Sequence, residues 1–116
     1  MNWYKKAQNL FIGYKIVGVD KKTNRIYSIY DKTIIDAQIG RTYTYNNSGL
    51  FLGTSKQFCM DYYSCGTPDE DGELLLTYQY EGRDIIRGEP THSNGEVQVK
   101  QAKLTNIDII NKEEWC

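Results

Sequence analysis

Apolar and polar residues alternate with a period of two in several stretches of this chain, the signature of half-buried strands. Residues 14–19 and 25–30 read as strands on either side of Asp20-Lys21-Lys22-Thr23-Asn24, a hairpin signal. Residues 41–45 alternate cleanly up to the turn Asn46-Asn47-Ser48-Gly49, and residues 50–53 give another short strand. Residues 73–81 form the longest run, with Leu74, Leu76, Tyr78 and Tyr80 on one face and Leu75, Thr77, Gln79 and Glu81 on the other. Ile85 and Ile86 make a brief apolar patch. Residues 96–104 alternate again through Val97 and Val99, and residues 107–110 end the pattern. The stretch 31–40, with Ile34, Ile35 and Ile39, follows neither a strand nor a helix period.

The period changes at residues 55–65, which read as a helix. Thr54 stands where an N-cap belongs, with Gln57 three residues on as in a capping box. Phe58, Tyr62 and Cys65 fall at i, i+4 and i+7, and Gly66 and Pro68 stop the helix. Residues 2–11 can form a second, short helix capped by Asn2, with Trp3, Ala7, Leu10 and Phe11 on one face. The acidic run Asp69-Glu70-Asp71-Gly72 lacks the spacing of a calcium loop and reads as a solvated turn. The expected fold class is α+β, with about six or seven mostly antiparallel strands around one central helix at 55–65. Residues 1–12 are an N-terminal helix or tail, 13–110 a single α+β domain, and 111–116 a C-terminal tail.

Composition narrows the function classes. A chain of 116 residues fits one domain and buries a core without obligatory staples. The longest apolar runs, such as Leu74-Leu75-Leu76, are too short to span a membrane, and the opening residues carry no signal-peptide pattern. A formal net charge of −1 disfavours non-specific nucleic-acid binding, which draws on a basic excess. Three cysteines form no C-x-x-C pair, and Cys59 and Cys65 lie about 240° apart around a helix. They read as free, reduced thiols, with Cys59 in the core, which agrees with the cytoplasmic location expected from the missing signal peptide. No cofactor is expected.

Glycine-rich phosphate loops, H-E-x-x-H and G-x-S-x-G are all missing, and the only histidine, His92, lies in the polar loop 88–95. Ten tyrosines are the unusual feature. Arg41, Tyr43 and Tyr45 share one side of a strand and would set a guanidinium beside two rings, a surface suited to the phosphate and base of a nucleotide. Arg83 and Arg87, flanking Asp84-Ile85-Ile86, would add cationic contacts. The alternative for this side is a packed sheet face with Arg41 at its rim.

The order of Gly49-Leu-Phe-Leu-Gly-Thr-Ser, a helix, Glu73-Leu-Leu-Leu-Thr-Tyr-Gln-Tyr-Glu-Gly and Glu96-Val-Gln-Val-Lys-Gln-Ala-Lys-Leu resembles small phage and bacterial domains. More distantly it resembles the later half of the ADP-ribosyltransferase fold. That second resemblance implies a nicotinamide pocket with Glu96 in the late-strand Glu position. The first strand, however, offers Tyr14 where that family carries His or Arg. The expectation is a small non-enzymatic, phage-like binding protein for a host protein or a nucleotide-type ligand, with room for a homo-oligomer. The alternatives are an ADP-ribosyltransferase-like enzyme acting on NAD and a virion structural or assembly protein.

Overall fold

A computed structural model describes residues 9–46 and 49–116. Nine strands are present among them: β1 (Leu10–Val19), β2 (Ile26–Tyr27), β3 (Ile34–Ile35), β4 (Thr42–Thr44), β5 (Leu50–Gly53), β6 (Gly72–Glu81), β7 (Ile85–Arg87), β8 (Glu96–Val99) and β9 (Gln101–Ile110). Helix α1 (Lys56–Tyr63) follows β5, and a single helical turn, α2 (Lys112–Trp115), ends the chain. The protein is strand-dominated α+β with antiparallel pairing throughout. The strand count exceeds the expected six or seven because 31–40 holds β3 and Ile85–Arg87 pairs with β8. Leu10 and Phe11, expected in a helix, lie in β1 opposite Glu81 and Tyr80. The rest of that expected helix, residues 2–8, is outside the described residues.

Two pairs of these strands, β8 with β9 and β6 with β7, are long strands interrupted once. β8 runs into β9 across Lys100 alone. On one flank of that line lie β5 and β4, with Tyr45 N–H donating to Lys100 O between them at 2.8 Å. On the other lie β6 and β7, and Lys100 N–H donates to Asp84 O at 2.9 Å. β1 pairs with β6 over its whole length and touches β5 through the single pair Tyr14–Gly53. The ring β1–β6–β9/β8–β5–β1 therefore closes on itself as a small barrel, which removes most exposed edge.

Period-two alternation then has one inside and one outside. Val17, Leu50, Leu52, Leu76, Tyr78, Tyr80, Val97, Val99, Ala102 and Leu104 fill the inside. Gly13 is on this side because a Cβ there would lie 2.8 Å from Leu52. Outside, α1 lays Cys59 and Met60 onto Ile16, Leu75 and Ile110. Its N-cap is Ser55, one residue later than expected, whose Oγ accepts from Phe58 N at 3.0 Å. Thr54 Oγ1 instead accepts from Gly95 N, and Gln57 donates to Asp61, so the capping box is not formed. Helix α1 ends at Tyr63, and Cys65 takes the left-handed conformation (φ 72°) in place of Gly66.

Candidate functional site

Arg41, Tyr43 and Tyr45 do share one side, and that side is the inside of the barrel. Tyr43 and Tyr45 are half-buried against the main core. The Tyr43 hydroxyl donates to Asp36 O and accepts from Gln38 N, while Tyr78 donates to Tyr45. Arg41 sits at the mouth, over the Tyr43 ring and paired with Asp36 at 2.8 Å. Arg83 is ion-paired with Glu81, and Arg87 is exposed on β7. The two groups lie on opposite flanks of the β8–β9 line, since Tyr45 and Asp84 bond Lys100 from either side.

A concavity lies at the far end of β9. It measures about 670 Å³, and Val19, Leu74 and Ile109 give it an apolar floor. Its lining holds four carboxylates (Asp69, Asp71, Glu73, Glu113) against two ammonium groups (Lys21, Lys112). Lys112 is not free to answer an incoming charge. Its Nζ donates to Thr67 Oγ1 at 2.9 Å and Pro68 O at 2.9 Å, with longer contacts to Thr67 O and Asp71 O. Ile109, on the floor, is 86% exposed, which is unusual for a strand isoleucine.

Beside this floor the sheet has an open edge. β4 pairs only with residues 101–103 of β9, and Leu104 closes that ladder through its bonds with Gly40 and Arg41. Past Leu104, no strand among the described residues covers the outer edge, although β6 pairs the inner edge as far as Ile110. Thr77 pairs with Asn106, and its carbonyl faces β9, where it accepts from Thr105 Oγ1; antiparallel alternation then turns the N–H and C=O of Ile107 and Ile109 outward. No family model, curated protein or solved structure matches this chain.

The concavity is held by a polar knot between β6, the segment after α1 and the C-terminus. Glu73 is fully buried. Its carboxylate accepts from Cys65 N (2.9 Å), Ser64 Oγ (3.2 Å), Thr67 N (3.2 Å) and Thr67 Oγ1 (2.9 Å). Next to it, Tyr27 Oη donates to Asp71, and burial pushes the Tyr27 hydroxyl up to about 12. Cys65 and Cys116 form a disulfide with their Cα atoms 5.9 Å apart. This corrects the expectation of three reduced thiols, and it removes one support for a cytoplasmic location. The expected C-terminal tail is α2, held by Lys112 and by that disulfide.

Elsewhere the chemistry is muted. Cys59 is buried and free, its Sγ donates to Tyr14 O, and burial raises its thiol to about 11. A thiol so held is neutral near pH 7 and is no nucleophile. Glu96, in the position that an ADP-ribosyltransferase likeness would assign to the late-strand Glu, accepts from Tyr63 Oη at 2.5 Å. His92 is exposed, and its Nδ1 accepts from Asn94 N within its own loop. Glu73 and Lys112 were missed from the sequence. A signal existed for Glu73: it shares the parity of Leu75, so it faces the helix-covered side.

Proposed function

We propose that this chain is a non-enzymatic binding module that takes an extended, basic segment of a partner protein along the open edge of β9. The observation that carries the reading is the outward-facing backbone of Ile107 and Ile109 beside an apolar, acid-lined concavity. An added strand would satisfy those backbone groups, place alternate side chains beside Ile107 and Ile109, and set its cations toward Asp69, Asp71 and Glu113. The partner reading is preferred over a nucleotide at Arg41, Tyr43 and Tyr45 because the hydroxyls of both tyrosines and the Arg41 guanidinium are already engaged within the chain.

The test is fluorescence anisotropy with labelled ten-residue peptides that alternate Val with Lys, against the same peptides carrying Glu. Lys peptides should bind and weaken as salt rises, and Glu peptides should not bind. Ile109→Pro removes only an edge-facing donor, so the sheet should persist while peptide binding is lost. Equal binding of both peptide classes, or full binding by Ile109→Pro, would contradict the reading. Nucleotide binding that disappears in Arg41→Ala would move the site to the barrel mouth.

A further inference from the structure

We propose that the Cys65–Cys116 disulfide is a redox clip that holds the C-terminal turn as one wall of the β9 groove and releases it on reduction. Its effect on binding rests on the groove reading above; the clip itself does not.

Both cysteines are exposed, so a dithiol can reach the sulfurs. The turn they secure has little else to hold it. α2 is four residues long, below the length at which a helix stands alone, and it buries no residue. Trp115 remains 47% exposed. Asn111 caps the turn through Glu113 N, and Lys112 is seated among the oxygens of Thr67, Pro68 and Asp71. Those contacts anchor the start of the turn. Past Lys112 the cross-chain tie among the described residues is the bond from Cys116 to Cys65, and Glu113 and Cys116 line the groove there.

Release follows simple chemistry. A dithiol gives two electrons and two protons to the S–S bond and is itself oxidised to a disulfide. Cys65 and Cys116 leave as thiols. Residues 113–116 then lose their far anchor while Lys112 keeps its cage and Glu73 keeps the segment after α1 in place. The opening is therefore local. The oxidised wall is ordered before a peptide arrives, whereas the reduced wall must be ordered on binding, so oxidation should favour binding.

Hydrogen exchange of the full chain, oxidised and then reduced with dithiothreitol, reads the clip without any peptide. A Cys65→Ser, Cys116→Ser double variant serves as a second reduced state. Protection should fall at residues 113–116 and stay unchanged in β1, β6 and β9. Unchanged protection at 113–116 overturns the proposal. So does loss across the whole sheet, which would make the bond a staple of the fold. A thiol count of three that oxidised glutathione cannot lower to one also overturns it. The Lys peptides should bind several-fold more weakly to the reduced chain, and equal affinity in both states overturns control of the groove. If no peptide binds in either state while protection at 113–116 still falls, the clip stands and the binding reading fails.

Discussion

Replacing Glu73 with Gln keeps the side-chain shape and removes the charge at the centre of the knot. The native carboxylate accepts four hydrogen bonds, two from backbone N–H groups that cannot change role and two from hydroxyls that can. A glutamine amide offers one oxygen. Whichever way it is turned, its NH2 faces the N–H of Cys65 or of Thr67, and one buried donor is left opposed by another. An unsatisfied buried donor costs about 1–3 kcal/mol, and bonds to a charged acceptor exceed neutral ones by about 1 kcal/mol. The expected loss is about 2–4 kcal/mol. With a urea m-value of roughly 1.5 kcal/mol/M, the midpoint should fall by roughly 1–3 M. For a chain of this size each kcal/mol is worth roughly 4 °C, so Tm should fall by roughly 8–16 °C. Both proteins are unfolded in urea with the disulfide intact and followed by tryptophan fluorescence and far-UV circular dichroism. Glu113→Gln, on an exposed residue of α2, serves as the control and should shift stability by less than about 0.5 kcal/mol. A Glu73→Gln midpoint equal to that of the control would refute the claim that the carboxylate holds the segment 64–67.

Two further outcomes can be read directly. Tyr27, Tyr45, Tyr63, Tyr78 and Tyr80 are all raised, chiefly by burial, with Tyr27 at about 12. Between the unfolded tyrosine value of about 10 and these folded values the native state binds more protons, so stability is fully present below pH ~10 and is lost as pH rises through 12. Absorbance at 295 nm should therefore show tyrosines that ionise only together with loss of the far-UV signal, and a single normal transition for all ten would contradict the packed tyrosine core. Gly53→Ala should be destabilising by about 1–3 kcal/mol, because its Cβ would meet Cys59 Sγ where β5 passes under α1. The Gly53→Ala, Cys59→Ala double variant should recover much of that loss in urea melts, and failure to recover would point to a different clash.

The alternation of 73–81 and 96–104 was legible because a strand face in contact with a core must be apolar, whatever the topology. The helix was legible for the same reason at a different period, although Ser55 and not Thr54 caps it, a choice between adjacent hydroxyls that only local backbone geometry makes. The concavity beside β9 was not legible. Ile109 looks like a core residue in the sequence, and its exposure follows from β4 ending its ladder at Leu104. Alternation sets Arg41, Tyr43 and Tyr45 on one side, but it cannot say whether that side faces solvent or the inside of a closed sheet.

The sequence alone settled what local chemistry settles: the strand period of 73–81 and 96–104, the helical period after Ser55, and the poor prospects of Cys59 as a helix partner for Cys65. Tertiary structure decided everything that depends on distant residues meeting. It closed the sheet through the one pair Tyr14–Gly53 and brought Cys116 to Cys65 across 51 residues. It also buried Glu73 where Ser64, Cys65 and Thr67 could satisfy it. The physical reason is that burial and pairing are properties of neighbours in space. A carboxylate with no apolar pattern of its own carries no mark in the chain of the four donors that folding will bring to it.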